Sequence, residues 1–407
     1  MIKKFSVSNF KNLRSVSDLE CDRINALIGP NGSGKSSFLQ AIDFLRAFFL
    51  TSVEVYLQER EWDYRDLPNL REAHKRISWD VEAELPAGLD GRGAGFYHYM
   101  VALSPRRYLG VAEERLEYRE SAAAQNAVLL QREGRAVRWL NRKTGSTEEF
   151  KEVGLPASMM SRLEPRRDHD RHPELLRFRD WVQSFRAFLL LDPKVLRMPD
   201  RGKHDTVGPS GEHLAPLLAK LKREKPEAFH KLVSRVKRLF PTVSDISIQG
   251  GRTWGWQTLR LHEGNGQAVV FNSQQMSDGV LRLLAVTSLL YLDRIPSVIT
   301  FEEPENGVHP QLIREVVQVL KELTLRKPPN QCQLFFTTHS PYVLDEFFDH
   351  PEQVFVVERG RPLEGAAITR LSERHQGKLK IVRETFEHSL GEAWVNGLLG
   401  ATAGAKP

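Results

Sequence analysis

A glycine-rich run lies near the start of this chain. Residues 29–36 read GPNGSGKS and satisfy the pattern G-x-x-x-x-G-K-[ST]. A short apolar run, Ile24–Ile28, precedes it, and apolar residues recur at helical spacing from Lys35 onward. In this order of strand, loop and helix, backbone N–H groups point at phosphate oxygens, the lysine neutralises phosphate charge and the serine ligates Mg²⁺. The sequence therefore predicts a phosphate-binding loop, and a glycine turn without a ligand is the disfavoured alternative.

Two polar groups farther along the chain could act on a bound phosphate. Glu302 and Glu303 follow a strand predicted over residues 297–301, and His339 follows another predicted over residues 333–337. Carboxylates at the carboxyl end of a parallel strand can hold Mg²⁺ or take a proton from water. Each group alone is a weak signal, because acidic pairs and capping histidines are common on protein surfaces.

A third group lies at the start of a helix predicted over residues 277–292. Residues 276–282 read MSDGVLR, which places Ser277 and Gly279 where the first N–H groups of a helix can bind an anion. An ordinary helix cap explains this run equally well when it is taken alone.

These groups occur in an order that resembles the ATP-binding-cassette branch of P-loop ATPases. The resemblance is to the RecF, SMC and OLD (overcoming lysogenisation defect) proteins, and it covers about residues 1–50 and 265–360. It implies a homodimer that encloses two Mg-ATP molecules, each between the glycine-rich loop of one subunit and the signature motif of the other. The cofactors implied are ATP and Mg²⁺.

The resemblance also assigns roles to individual residues. Glu303 and His339 would be catalytic, while Ser36 and Glu302 would hold Mg²⁺, with Glu302 in place of the more usual aspartate. The signature residues that contact ATP in the other subunit would be Ser277, Asp278 and Gly279. Asn306–His309 matches the family's D-loop, and its Q-loop glutamine has no assigned counterpart. The ATP-binding residues would be Asn31, Gly32, Ser33, Gly34, Lys35, Ser36, Ser37 and Lys11.

The predicted fold class is α/β: an ABC-type ATPase head with a mixed sheet, an antiparallel β subdomain and a helical insert lobe. Helical spacing covers residues 173–191 and 211–240, whereas residues 78–150 have the texture of antiparallel hairpins. The division expected is an N-terminal part of the ATPase domain (1–77), the β subdomain (78–150), the helical lobe (151–245) and a C-terminal part of the ATPase domain (246–400). About fifty residues follow residue 354, fewer than a Toprim nuclease needs, so a stand-alone ATPase is expected.

Composition sets looser limits. The 407 residues carry a net charge of +6, which allows a polyanionic partner without requiring one. Cys21 and Cys332 match neither a disulfide framework nor a zinc spacing, and no apolar run approaches the ~20 residues of a membrane span. A soluble, cytoplasmic protein is expected.

Other basic and metal-binding patterns are less specific. Residues 168–172 read DHDRH, for which a solvated loop is expected over a metal site. The basic residues that could contact DNA phosphates form two groups, and a solvated helix face explains the second group as well. They are Arg132, Arg135, Arg138, Arg142 and Lys143, then Lys220, Lys222, Arg223, Lys225, Lys231, Arg235, Lys237 and Arg238.

Three functions compete. The leading hypothesis is an ATP-hydrolysing dimer that acts in DNA repair or in defence against foreign DNA, with a separately encoded effector such as a nuclease. The alternative is a nucleotide-dependent DNA clamp or scaffold with negligible hydrolysis. A transporter ATPase is disfavoured by the long segment between residues 36 and 276.

Overall fold

Three β-sheets and the helices that cover them make up the fold. The computed structural model describes residues 1–50, 52–72, 75–87, 93–104, 109–151, 156–250, 255–264, 269–327, 330–360, 365–374, 386 and 389–399. No helix within these ranges is both long enough and apolar enough to cross a membrane.

Runs of consecutive strands are separated by helices along the chain. The strands are β1 (Ile2–Phe10), β2 (Leu13–Glu20), β3 (Ile24–Ile28), β4 (Ile77–Leu85), β5 (Gly95–Leu103), β6 (Val111–Arg119), β7 (Ala127–Glu133), β8 (Ala136–Leu140), β9 (Thr147–Lys151), β10 (Arg186–Phe188), β11 (Asp200–Arg201), β12 (Val243–Gly250), β13 (Trp256–Glu263), β14 (Val269–Asn272), β15 (Val298–Glu302), β16 (Gln333–Thr337), β17 (Val354–Arg359) and β18 (Ala366–Arg370). The α-helices are α1 (Lys35–Phe44), α2 (Val53–Glu59), α3 (Pro165–Asp168), α4 (Pro173–Gln183), α5 (Pro193–Leu196), α6 (Leu214–Glu224), α7 (Pro226–Leu239), α8 (Asp278–Ser288), α9 (Pro310–Thr324), α10 (Pro341–Asp345), α11 (Leu371–Arg374) and α12 (Leu390–Val395).

The central sheet places the candidate site. Its order is β10-β15-β16-β3-β17-β18, with every pair parallel except the edge pair β17 and β18. Because parallel strands end at the same edge, the segments that follow β3, β15 and β16 are neighbours in space. In the register of β15 and β16, Glu302 lies opposite Thr337. The predicted α/β fold class is confirmed.

The central strands are buried on both faces. Leu334 and Phe336 face a core shared with α6 to α9, whereas Phe335 between them faces the core beneath the antiparallel sheet. Successive side chains of a strand point to opposite faces, so a strand covered on both sides carries a continuous apolar run. This is why residues 297–301 and 333–337 were recognisable as strands from sequence.

An eight-stranded antiparallel sheet packs against α1. Its order is β2-β1-β4-β5-β6-β7-β8-β9, so β1 pairs with β2 on one side and with β4 on the other. Trp79 anchors this sheet, since its indole N–H donates to the Ala41 carbonyl at 2.9 Å and its ring stacks on Phe44. Strands therefore pair across the expected boundary between residues 77 and 78, although the division into domains itself stays a prediction.

The expected helix over residues 173–191 is only partly correct. Helix α4 ends at Gln183, and β10 then pairs in parallel with β15 at the edge of the central sheet. The Ser184 hydroxyl donates to the Trp181 carbonyl at 2.6 Å and also contacts Ser297, which closes the helix beside that strand. The apolar residues after Gln183 are explained by the sheet, which buries them as a helix would.

The solvated loop expected at residues 168–172 is wrong for two of its members. Asp168 and His172 are buried, and the Asp168 carboxylate accepts from the backbone N–H of Glu164 at 2.9 Å. His172 Nδ1 lies 3.0 Å from the Leu140 carbonyl and its ring packs against Trp139. These contacts give both side chains a structural role.

Candidate nucleotide-binding and active site

The glycine-rich loop adopts backbone conformations that favour glycine. Gly29, Gly32 and Gly34 have φ values of 152°, 73° and 113°. A Cβ atom on Gly29 would lie 2.1 Å from the Val357 carbonyl oxygen of β17. The loop is thus pressed against its neighbouring strand, and a side chain cannot enter at that point.

Gly29→Ala is expected to lower the free energy of unfolding by about 3 kcal/mol, because it combines an unfavourable φ with overlap against a backbone carbonyl. Urea denaturation of the purified protein measures this. Gly32→Ala is the matched control: its φ is also positive but no atom lies within 4 Å of its added Cβ, so only about 1 kcal/mol is expected. Equal losses in the two variants would contradict the role of the Val357 contact.

Lys35 occupies the inside of this loop. It is 6% exposed, and its ammonium group donates to the carbonyls of Gly29 at 2.8 Å and Pro30 at 3.0 Å. Burial lowers the pKa of Lys35 to about 8, and the charges of Glu303 and Glu302 oppose that shift. A buried cation at the start of a helix is a favourable place for an anion.

Ser36 and Glu302 form a hydroxyl and carboxylate pair at the end of β15. Burial raises the pKa of Glu302, and the nearby Ser36 hydroxyl opposes that shift. Oxygen donors of these two types are the ligands that Mg²⁺ prefers, so the residues present fit this ion.

Glu303 lies in a strained turn directly after β15. Its φ of 43° is in the left-handed region, and its N–H donates to the backbone and hydroxyl oxygens of Thr337, each at 3.2 Å. The carboxylate accepts from the Asn306 amide at 2.9 Å, and its other oxygen lies 3.6 Å from His339 Nε2. Such strain persists where surrounding contacts enforce it, which is common in active sites.

His339 is half-buried beside this carboxylate. Burial lowers the pKa of His339, the nearby Lys35 charge lowers it further, and Glu303 opposes both. The imidazole is therefore neutral at neutral pH, with one nitrogen able to donate a hydrogen bond and the other able to accept one.

A cavity of 770 Å³ opens beside the glycine-rich loop. Loop residues Gly32, Ser33 and Ser37 line one side, and the Ser33 hydroxyl is buried with no hydrogen-bond partner among the described residues. Its basic lining residues suit a polyanion. They are Lys11, Arg14, Arg65, Arg71 and Arg359.

Lys11 lines this cavity. Its ammonium group donates to the Gln40 side chain at 2.8 Å and lies 3.1 Å from the centre of the Trp62 ring. Burial lowers the pKa of Lys11 to about 8. Of the basic residues that line the cavity, sequence reasoning identified this one alone, because the arginines have no motif and come from distant parts of the chain.

The signature residues are displayed at the start of α8. Ser277 caps the helix by accepting from the Val280 N–H at 3.4 Å, and Asp278 is paired with Arg197. Gly279 faces open space, where the nearest atom to an added Cβ is the Gly307 carbonyl oxygen at 3.9 Å. Ser277 and Asp278 are exposed, so a second molecule can reach this end of the helix.

Several of the basic residues proposed as DNA contacts are instead engaged within the chain. Arg132 is 5% exposed and donates to the carbonyls of Gly134 and Ala157. Arg235 is also buried and binds both oxygens of Glu322 at 2.8 Å. Those still exposed on α6 and α7 are Lys222, Arg223, Lys231, Lys237 and Arg238.

The site's five central residues come together as the motif order predicted. Lys35, Ser36, Glu302, Glu303 and His339 meet at the carboxyl edge of the central sheet. Sequence reasoning missed one further acidic residue in the same turn, Glu305, whose carboxyl is buried beside His339. The only sequence signal for it was its position two residues after the acidic pair.

Two kinds of known protein are similar to this chain. The chain is 43% identical over 44 residues to a DNA replication and repair protein RecF of Shewanella frigidimarina, a match that spans 11% of this chain and 12% of that protein. A crystal structure of an SMC head bound to the C-terminal winged-helix domain of ScpA aligns over 91% of this chain and 99% of its own, with a TM-score of 0.48 and 13% identity. An SMC head with an extended coiled coil, bound to the C-terminal domain of ScpA from Pyrococcus furiosus, aligns over 94% and 98%, with a TM-score of 0.45 and 12% identity.

A family model extends over most of the chain. It matches residues 24–345, which include the glycine-rich loop, the signature residues, the acidic turn and His339. The predicted membership among P-loop ATPases is confirmed by this match. The chain belongs to the family described as "AAA domain, putative AbiEii toxin, Type IV TA system".

Proposed function

We propose that this protein hydrolyses ATP in a homodimer that encloses two Mg-ATP molecules. The observation that carries the proposal is the meeting of Lys35, Ser36, Glu302, Glu303 and His339 at one edge of the sheet. These residues supply a phosphate cradle, a Mg²⁺ ligand pair, a carboxylate base and a neutral imidazole, and such groups can together support phosphoryl transfer to water.

Each residue has a defined task in this reaction. Lys35 and the loop N–H groups would bind the β- and γ-phosphates, while Ser36 and Glu302 would hold Mg²⁺, which neutralises phosphate charge when bound. Glu303 takes a proton from the attacking water. At the same time the water oxygen bonds to the γ-phosphorus, and the bond between the γ-phosphorus and the oxygen that leaves with ADP breaks. His339 orients the water or the γ-phosphate by hydrogen bonding.

The signature residues are the basis for proposing a dimer. Ser277, Asp278 and Gly279 start a helix whose first N–H groups can bind phosphate, and they are accessible to a second molecule. The start of α8 in one subunit would then complete the ATP site of the other subunit, so that turnover requires two copies of the chain.

A complementation experiment tests this arrangement. Lys35→Ala inactivates the loop of its own subunit, and Gly279→Asp places a negative charge where the partner's phosphate would bind. The open space at Gly279 and the favourable position of an acidic residue in the first turn of α8 keep this variant folded. Each variant alone is expected to lack ATPase activity, whereas an equal mixture should recover about a quarter of wild-type activity, because half of the random dimers contain one intact site of two.

An inactive mixture would contradict composite sites if mass spectrometry showed that mixed dimers had formed. Gly279→Ala is the control for the change in size, and it should leave the melting temperature within about 2 °C of the wild type.

For the biological output, we propose DNA repair or defence against foreign DNA, with a separately encoded effector such as a nuclease and a cytoplasmic location. The RecF similarity and the family's toxin–antitoxin description support these two settings. Phosphate release measured with and without DNA tests the proposal. Stimulation by DNA would support it, and ATP-driven dimerisation without turnover would indicate a clamp or scaffold.

A further inference from the structure

The acidic turn after β15 contains a third glutamate that differs from the other two. Glu305 is 6% exposed, whereas Glu302 and Glu303 are partly open to solvent. Burial raises the pKa of Glu305, which favours the neutral acid. Because its carboxyl is enclosed by protein, this residue cannot serve as a direct contact to ATP.

The Glu305 carboxyl joins two loops that are distant in sequence. Its Oε1 accepts a hydrogen bond from the Thr338 hydroxyl at 2.6 Å and faces the His339 N–H at 3.4 Å. The Thr338 hydroxyl in turn accepts from the Ser340 N–H at 3.0 Å. One carboxyl oxygen thus fixes the backbone on which the imidazole of His339 is carried.

The same turn also holds Glu303. The Asn306 N–H donates to the Glu303 carbonyl at 2.9 Å, and the Val308 N–H donates to the Glu305 carbonyl at 3.0 Å. A shift of Glu305 would therefore change the separation between the Glu303 carboxylate and His339, which is 3.6 Å in this structure.

Fold stability alone is a poor explanation for this carboxyl. Glu305 Oε2 is buried and makes no hydrogen bond to any described residue. A buried polar atom without a partner destabilises the folded state, and a side chain whose polar atoms all found partners would avoid that cost. An unfavourable group that touches both loops of an active site points to a role in the reaction.

We propose that Glu305 is a positioning residue that holds His339 at its required distance from Glu303. The proposal rests on the ATPase function proposed above, and it assigns to Glu305 no contact with ATP or water. Its effect on turnover is transmitted through the Thr338 hydroxyl and the His339 backbone.

Steady-state kinetics of three variants test this role. Glu305→Ala should lower kcat about tenfold with the affinity for ATP unchanged, because only the geometry of the reacting groups is disturbed. Glu305→Gln should stay within about threefold of the wild type, since its amide oxygen can still accept from Thr338. Thr338→Val removes the same hydrogen bond from the other partner without enlarging the site, and Thr338→Ser is its matched control. If Glu305→Ala fails to fold, Thr338→Val still provides the test.

A double-mutant cycle separates positioning from general damage. If Glu305 acts through His339, then Glu305→Ala should cause no further loss of kcat in a His339→Ala background. Additive losses, a raised KM alone, or a wild-type kcat in both Glu305→Ala and Thr338→Val would overturn the proposal.

A spectroscopic measurement makes the result independent of turnover. In histidine-labelled protein, the ring signals of His339, assigned from His339→Ala, should move in Thr338→Val and remain in place in Thr338→Ser. If the wild type is active but the His339 signals of Thr338→Val match those of the wild type, positioning by Glu305 is refuted. A wild type without ATPase activity above the Lys35→Ala level would instead refute the proposed function, and the His339 signals would still decide whether Glu305 positions that loop.

Discussion

Glu303→Gln is expected to reduce ATP hydrolysis at least about 100-fold while leaving ATP binding intact. The amide keeps the size of the side chain and its contact with Asn306, but it can no longer accept a proton from water. The strained turn is preserved because the Thr337 contacts are made by the backbone N–H of residue 303. The loss should therefore appear in kcat alone.

Two measurements check this variant. Phosphate release gives the rate, and light scattering during gel filtration with ATP and Mg²⁺ gives the mass. The blocked variant should accumulate as an ATP-bound dimer, because hydrolysis is the step that reopens it.

Glu149→Gln, on the outermost strand of the antiparallel sheet, is the matched control and should behave as the wild type. Wild-type turnover in Glu303→Gln would remove Glu303 from the role of base.

Lys35→Ala is expected to weaken ATP binding at least about 100-fold. The ammonium group is the buried cation inside the glycine-rich loop, and alanine leaves its phosphate site without that charge. Because the loop carbonyls of Gly29 and Pro30 become accessible to water once the side chain is removed, the fold should survive the change.

Isothermal titration with a non-hydrolysable ATP analogue and Mg²⁺ measures this affinity. Lys237→Ala, an exposed lysine on α7, is the control for loss of one positive charge and should bind as the wild type does. An unchanged affinity in Lys35→Ala would mean that the nucleotide binds elsewhere.

The order of motifs was sufficient to predict the centre of the site. A glycine-rich loop between a strand and a helix depends on local backbone conformation, so Gly29, Gly32 and Gly34 were readable from their spacing. The continuous apolar runs before Glu302 and His339 predicted buried parallel strands, and parallel strands bring their carboxyl ends to one edge. Together with the family resemblance, these two facts predicted one site that contains Lys35, Glu303 and His339.

Strand pairing between distant segments could not be predicted from the sequence. The strand β10 falls in a segment with helical spacing, and its apolar residues would suit either structure until the edge of β15 is available. Arg132 and Arg235 were expected to be available for contact with DNA phosphates. Their residue type alone does not reveal the carbonyl and carboxylate groups of the chain that bind them.

The phosphate-binding loop, the acidic pair and the histidine could thus be predicted, because each depends on residue types at short spacing. Their surroundings depend on the tertiary fold: the arginines that line the cavity, and the buried Glu305 carboxyl that joins two loops more than thirty residues apart. Contacts of this kind depend on which surfaces the sheet brings together, and pairing between distant segments leaves no periodic pattern in either segment.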